Sequence, residues 1–486
     1  MPYVILAVYS LVSFVLLIYS CVEFILLLNF LFRKKTVETK VWKSLPNVTI
    51  QLPLYNEKFV VERLIDAIVQ IDYPKEKLEI QVLDDSTDET IEKAKAKVAM
   101  YQAQGFDIHY IQREDRSGFK AGALDYGLRT SKGEFIAIFD ADFLPARTFL
   151  MDAIPHFSDD GVGVVQSRWG YLNENYSFLT RLQTVILNTH FSVEQAGRNK
   201  SKAYINFNGT AGIWSKKCID DAGGWMADTL TEDLDLSFRA QMKGWKFKYV
   251  MEIESPSELP ITFPGYKAQQ FRWAKGAAEC VKKNLSSLWK SSASFWAKMI
   301  GSFHLLNSSV YLVVLSFILL SFPMSYALQE FKGNPMVDAL LPFFLLSNVL
   351  LLCVFVGGNL YRSKSPVQWL AFPFIFLGFL IVNMGMSLYM SIGVIEGYLG
   401  KKSEFVRTPK FNVLAAKKAS VQAAYTKIAL TPLNMIELLI AGYGVFQLTY
   451  SLMIGDVFGS VFAAMFTIGF GYNVGSTVYH ASFNKS

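Results

Sequence analysis

Residues 3–32 are apolar almost throughout, and five more apolar runs follow Trp289, at 299–322, 336–360, 367–399, 432–453 and 457–478. A helix of about 20 apolar residues crosses a hydrocarbon core of about 30 Å, and each run reaches that length. A chain built this way cannot fold as one soluble globule, and its hydrophobic fraction of 52% agrees. The first run lacks a basic leader and a small-residue cleavage site, so it reads as a retained membrane helix rather than a signal peptide. Arg33, Lys34, Lys35, Lys40 and Lys43 follow it at once. Because cytoplasmic flanks carry the excess of Lys and Arg, the C-terminal end of this helix belongs in the cytosol. Glu23 lies inside the helix, where it faces a protein neighbour or sits near the interface.

The formal net charge is +6. Lys and Arg gather beside apolar runs rather than in long blocks, a pattern of membrane topology that implies no nucleic-acid partner. Cys21, Cys218, Cys280 and Cys353 are widely spaced and include no C-x-x-C. Neither a disulfide framework nor a zinc site is indicated.

Parity constrains the C-terminal runs. With a cytosolic soluble segment, the second span exits and the third returns to the loop holding Arg362 and Lys364. A single span at 367–399 would then export the loop that carries Lys401, Lys402, Arg407, Lys410, Lys417, Lys418 and Lys427, against the charge bias. As one helix this run would be about 50 Å long at 1.5 Å per residue. The expectation is therefore a hairpin, or an interfacial helix with a re-entrant segment, bending near residues 383–385.

From 46 to about 289 the composition is that of a soluble α/β domain, with short β-rich runs alternating with helical stretches. Residues 48–52, 78–83, 136–139 and 163–166 read as strands. Helices are expected over 58–70, with Val61, Leu64, Ile65 and Ile68 inward, from about 86 to 100 with Ser86 or Thr87 as its cap, and over 118–129. This is a nucleotide-binding sheet without the G-x-G-x-x-G of a dinucleotide site.

Four polar motifs lie in this segment. Asp84-Asp85-Ser86-Thr87-Asp88 follows a strand, where a carboxylate accepts hydrogen bonds from a base or ribose; a helix-capping cluster is the plainer alternative. Arg116-Ser117-Gly118-Phe119-Lys120-Ala121-Gly122 offers backbone N–H groups and a cation to a phosphate, or is simply an exposed helix start. Asp140-Ala141-Asp142 ends a buried strand. Such a pair suits a divalent cation that carries a diphosphate, and taken alone it is more often a solvated turn. Thr231-Glu232-Asp233-Leu234-Asp235 opens a helix; Asp233 is the candidate general base, and capping by Thr231 is the structural alternative. Downstream, Gln269, Arg272 and Trp273 fall within one helical turn, as a platform for a sugar ring or as a membrane-surface anchor.

Asp84-Asp85, Asp140-x-Asp142, Thr231-Glu232-Asp233 and Gln269-x-x-Arg272-Trp273, in this order, resemble the D, DxD, D, QxxRW signature of membrane-embedded glycosyltransferases of family two. Gln51-Leu52-Pro53-Leu54-Tyr55-Asn56-Glu57, Phe207-Asn208-Gly209-Thr210-Ala211-Gly212 and Gly223-Gly224-Trp225 make the chain similar to the cellulose-synthase-like A group of mannan and glucomannan synthases and their bacterial relatives. The resemblance covers roughly 52–273. It implies a Rossmann-like GT-A domain at 33–290, between a membrane helix at 1–32 and an all-α membrane region at 291–486, with inversion at the anomeric carbon. By position, Asp84 and Asp85 would hold the nucleoside, Lys120 and Asp140 the donor nucleotide, and Asp140 with Asp142 a Mg²⁺ or Mn²⁺ ion. Asp233 would be the base, while Gln269, Arg272 and Trp273 would hold acceptor and diphosphate. Phe405-Val406-Arg407-Thr408-Pro409-Lys410, within a loop at 400–428, resembles the cytosolic gating loop of cellulose synthases, with Arg407 and Pro409 departing from that form. Phe405, Arg407, Thr408 and Lys410 are its candidate residues.

The expected activity is hexosyl transfer from UDP-glucose or GDP-mannose to a growing β-linked glucan, mannan or glucomannan, by an integral membrane protein whose catalytic domain is cytosolic. Single transfer to a membrane lipid such as ceramide is the nearest alternative, since that group shares the signature. A transporter with a nucleotide-sensing domain is another, but it needs neither a base at Asp233 nor a platform at Trp273.

Overall fold

The structure, a computed structural model, describes residues 2–32, 42, 44–331, 333–334, 341–361, 365–403, 410–412 and 431–483. Val48–Leu54 (β1) is buried along nearly its whole length, as a strand covered on both faces must be. β2 (Leu78–Asp84), β3 (Asp107–Ile111), β4 (Phe135–Ile138), β5 (Val162–Tyr171), β6 (Gly212–Ser215) and β7 (Lys246–Ser257) join it. Among the described residues they form a seven-stranded sheet in the order β3-β2-β1-β4-β6-β5-β7. β1 pairs parallel with β2 and with β4, whereas β6 runs antiparallel between β4 and β5. The order reverses direction between β1 and β4, and ligands gather beyond the carboxyl ends of strands at such a switch point.

α1 (Pro2–Leu31) precedes the sheet. One face of the sheet carries α2 (Val61–Ile68) and α3 (Thr90–Ala103), and Val61, Leu64, Ile65 and Ile68 point inward as the periodicity predicts. Ser86 and Thr87 do not cap α3. The N-cap is Glu89, whose side chain makes no capping bond; one residue earlier, Asp88 Oδ1 accepts the Thr90 N–H at 3.0 Å, while the Ser86 hydroxyl accepts the Asn56 N–H at 2.8 Å. α4 (Phe119–Thr130) covers the other face; α5 (Phe149–Ala153) follows β4 on the first. α6 (Phe178–Thr189) runs through a π-helical turn, His190–Glu194, into α7 (Gln195–Lys200). α8 (Lys216–Asp221) and α9 (Glu232–Met242) pack beside α4, and α10 (Phe263–Lys290) crosses below them.

α11 (Phe295–Leu306), α12 (Val310–Glu330), α13 (Leu341–Leu360), α14 (Pro366–Leu399), α15 (Pro432–Met453) and α16 (Val457–Phe483) complete the chain. Among the described residues, five segments are long and apolar enough to cross a membrane by length and composition: Pro2–Leu31, Phe295–Glu330, Pro366–Leu399, Pro432–Met453 and Val457–Tyr479. α1 is docked firmly on the sheet domain. Leu26, Leu27 and Phe30 pack on Phe191, Val193 and Ala196, and a Cβ at Gly197 would lie 2.5 Å from the Leu26 carbonyl oxygen.

The hairpin expected in 367–399 is not formed, for α14 is one continuous helix of 34 residues. Its small residues are contact points and not hinges. A Cβ at Gly378 would meet Phe178 of α6 at 2.6 Å, one at Gly385 the Gly469 carbonyl of α16 at 2.2 Å, and one at Gly397 the Lys275 carbonyl of α10 at 2.6 Å. Asn383 donates to the Phe379 carbonyl within the same helix at 2.8 Å, so it breaks nothing. The helix end is fixed by an ion pair between Lys275 and Glu396 at 3.0 Å. α14 therefore packs against α6, α16 and α10 in turn along its length, contacts that a count of hydrophobic runs does not reveal.

Candidate active site

The carboxyl ends of β1, β2 and β4 open on a cavity of about 210 Å³ whose lining includes Asp85, Lys120, Asp140, Asp142, Asp233, Gln269, Arg272, Trp273 and Lys410. Residues scattered over more than 300 positions of sequence thus reach one space. Asp84 does not, contrary to the expectation that it touches a nucleoside. Successive side chains of a strand point to opposite faces, and Asp84 turns inward, fully buried. Its oxygens accept the Ser86 N–H at 2.9 Å and the Tyr110 hydroxyl at 3.0 Å. It builds the turn that presents Asp85.

Asp85 is gripped by the fork of Arg113, with Nε 3.0 Å from Oδ1 and Nη2 2.5 Å from Oδ2. Close by, the Arg116 guanidinium lies 3.3 Å from the centre of the Tyr55 ring, leaving a flat cationic and aromatic wall. Sequence reasoning missed Arg113, and the signal was its place just beyond β3, a strand too polar to be read from hydrophobic alternation.

Lys120 begins α4 and reaches Asp140 Oδ1 at 2.5 Å and the Gly209 carbonyl at 2.9 Å. Burial works against the ammonium, but Asp140 and Glu232 outweigh it and hold its pKa above the ordinary range. The Asp140 backbone N–H donates to Thr210 Oγ1 at 2.8 Å, fixing the strand end. Asp142 is buried and meets Lys410 Nζ at 2.6 Å. Lys410 also donates to the Glu258 carbonyl at 2.9 Å, and the Glu258 side chain accepts the Phe411 N–H at 2.9 Å. Arg63 braces this junction, 3.6 Å from Glu258 and 2.7 Å from Asn412. Glu258 was not anticipated. Phe405, Arg407 and Thr408 lie outside the described residues.

Asp140 and Asp142 are hard oxygen donors, each met here by an ammonium group, so the site wants positive charge. Among the described residues no group of three or more His, Cys, Asp or Glu is arranged to hold a metal ion by itself. Such a pair fits an ion of the Mg²⁺ kind, which takes one or two carboxylates and fills its shell with substrate phosphate and water.

Asp233 stands in the first turn of α9. Burial, then the neighbouring Glu232, push its carboxyl up to about 7 while Lys120 pulls the other way. Gly209 adopts a left-handed φ of +77°, and a Cβ there would sit 3.1 Å from Asp233 Oδ2, so the loop presses close over the carboxylate. Thr231 does not cap α9 with its side chain. Its hydroxyl is 3.4 Å from Cys280 Sγ, and a Cβ at Gly276 would fall 2.5 Å from its methyl, so α10 is pressed against the start of α9. This contact delivers Gln269, Arg272 and Trp273 to the cavity. Burial lowers the Arg272 pKa, and Glu232 and Asp140 counter it. Trp273 lies 6.4 Å from Trp169 between ring centres, the two planes inclined by 55°.

A nucleotide-type sheet with this strand order, opening on paired carboxylates, a half-buried acid and a Gln-x-x-Arg-Trp helix, defines a GT-A glycosyltransferase. The sequence comparisons agree: residues 46–276 match the family described as glycosyltransferase like family 2, and residues 213–367 match cellulose synthase. Glucomannan 4-beta-mannosyltransferase 1 of Oryza sativa subsp. japonica is 34% identical over 456 residues, 90% of this chain and 84% of that protein. Glucomannan 4-beta-mannosyltransferase 7 of Arabidopsis thaliana is 32% identical over 482 residues, 93% of this chain and 83% of that one. The chain belongs to this cellulose-synthase-like A family of membrane-integrated glycosyltransferases. In fold it is similar to a mannosyltransferase from Pyrobaculum calidifontis solved with GDP-Man and Mn²⁺, at a TM-score of 0.54 and 20% identity, over 81% of this chain and 100% of that one.

Proposed function

We propose that the protein transfers mannosyl units from GDP-mannose, with inversion, to the end of a growing β-linked mannan or glucomannan. GDP-mannose is favoured over UDP-glucose because the relatives above are named mannosyltransferases and the solved neighbour holds GDP-Man. They are named for glucomannan, which favours a polymer product over a single transfer to a lipid such as ceramide. What supports the reading from the chain itself is one cavity that brings Asp140 and Asp142, Asp233, and the Gln269–Trp273 turn together.

The roles follow from the chemistry of these groups. Asp85, held by Arg113, accepts hydrogen bonds from the nucleoside, and Arg116 on Tyr55 offers its plane to the base. Asp140 and Asp142 would hold Mg²⁺ or Mn²⁺, which when bound neutralises charge on the diphosphate. The acceptor hydroxyl attacks the anomeric carbon, forming the new C–O bond as the bond to the diphosphate breaks. Its proton passes to Asp233. Lys120, Arg272 and, from the 400–428 loop, Lys410 face the leaving oxygens, where fixed cations stabilise charge that develops in the transition state. Trp273 offers its ring to the acceptor sugar.

We place the sheet domain on the cytosolic side, because Arg33, Lys34, Lys35, Lys40 and Lys43 stand in the chain between α1 and β1, and Lys410, from the basic stretch that follows α14, meets Asp142 of that domain.

The test is a product assay: purified protein in bilayers, offered GDP-mannose and UDP-glucose separately with Mn²⁺ or Mg²⁺. A ladder of β-linked chains from GDP-mannose is expected. A single glycolipid, or transfer from UDP-glucose alone, overturns the proposal.

A further inference from the structure

α10 turns Gln269, Arg272 and Trp273 toward the active-site cavity, and at 3.6 residues per turn Lys267 and Lys275 fall on its other side. Both lysines end in ion pairs that the chemistry above does not use. Lys267 reaches Glu437 of α15 at 2.8 Å and Asn473 Oδ1 of α16 at 3.2 Å, and its ammonium lies 4.5 Å from the centre of the Tyr389 ring of α14. Lys275 is fully buried and reaches Glu396 of α14 at 3.0 Å, while Glu396 also holds Lys401 at 2.6 Å.

Glu437 is fully buried within an apolar helix, where a carboxylate is costly to keep unless partners answer it. Besides Lys267 it accepts Asn473 Nδ2 at 2.6 Å and Asn434 Nδ2 at 2.9 Å, so its partners come from α10, α15 and α16. The two glutamates bracket one stretch of chain. Glu396 stands in the last turn of α14 and Glu437 in the second turn of α15, and between them in sequence lies Lys410, which meets Asp142 in the active site. α10 itself is held from the cavity side, where Thr231 presses on Gly276. Loss of either ion pair therefore loosens the bracketed stretch while α10 keeps its seat.

We infer that Lys267 and Lys275 are positioning residues: through Glu437 and Glu396 they tie both ends of the stretch that bears Lys410 to α10, and so set where the Lys410 ammonium meets Asp142 and the leaving diphosphate. The diphosphate half of this rests on the proposed glycosyl transfer; the placing of Lys410 does not.

The test uses the full-length protein in detergent or bilayers and Lys267→Met, a change that leaves Glu437 with its two amide donors. With neither donor nor metal present, acetylation of Lys410 by acetic anhydride is timed by peptide mass spectrometry, with the exposed Lys132 as internal standard. Lys410 should react at least about fivefold faster in the variant, because an amine released from a largely buried contact opens to the reagent. Lys267→Arg, which keeps the cation, should stay near the wild-type rate. With donor, kcat for nucleoside diphosphate release should fall by about tenfold and the donor KM should hold within about twofold; the fall should vanish in a Lys410→Ala background, since residues that act through one group are not additive. A packing role alone would lower turnover alike in both backgrounds. If Lys267→Met does not fold, Lys275→Met, which leaves Glu396 paired with Lys401, is expected to give the same pattern. Unchanged labelling of Lys410, or an equal loss of kcat with and without Lys410, overturns the inference. If the wild type releases no nucleoside diphosphate from any donor, the proposed activity fails instead, and the labelling still decides whether the two lysines place Lys410.

Discussion

Lys410 Nζ lies 2.6 Å from Asp142 Oδ2, joining a loop beyond the fourth apolar helix to the carboxylate that ends the D-x-D turn. An ammonium and a divalent cation compete for the same oxygen. Lys410→Ala should therefore raise Mn²⁺ affinity in the absence of donor, by about threefold or more, yet lower turnover by at least about tenfold, because a cation facing the leaving diphosphate is gone. Mn²⁺ titration by electron paramagnetic resonance, set beside kcat, separates the two effects. Unchanged values for both would remove Lys410 from the site.

Burial and Glu232 raise the Asp233 carboxyl to about 7. A general base works only when deprotonated, so kcat/KM should climb with pH through about 7 and level off above it. A profile flat from pH 5.5 to 8.5 would contradict the assignment.

Metal dependence has its own test. Excess EDTA should stop transfer, Mn²⁺ or Mg²⁺ should restore it, and Asp142→Ala should weaken metal-dependent donor binding by about tenfold or more. Full activity under chelation would exclude the ion from the reaction.

Gly276 lets α10 rest against Thr231, with a Cβ there only 2.5–3.0 Å from three Thr231 atoms. Gly276→Val should cost about 1–3 kcal/mol of stability by overpacking. It should also lower turnover by more than about tenfold, since Gln269, Arg272 and Trp273 shift with the helix. Thermal unfolding and kcat measured on the same sample check both. A variant with wild-type values would mean that the contact relaxes without moving the site.

Much of this was legible in the sequence, and the failures have physical causes. Strands β1 and β2 and the inward face of α2 follow from apolar periodicity, and the D-x-D and Gln-x-x-Arg-Trp residues do meet in one cavity. The adjacent acids Asp84 and Asp85 could not be told apart, because a strand sends neighbours to opposite faces and only the sheet decides which is outside. β6 is four residues long and begins with Gly212, so it carries little alternation. The continuity of α14 depends on close contacts at Gly378, Gly385 and Gly397 with three different helices, which no local pattern encodes. Lys410 was expected in a gating-like loop, but its partner Asp142 is 268 residues away in sequence, and no local pattern pairs them.

The central claim is that sugar transfer takes place in this cavity with Asp233 as the base. Turnover and donor binding of Asp233→Asn, measured on one preparation, test it most directly. The expected result is a fall in kcat of at least about a hundredfold with donor affinity nearly unchanged. Wild-type turnover in that variant would contradict it.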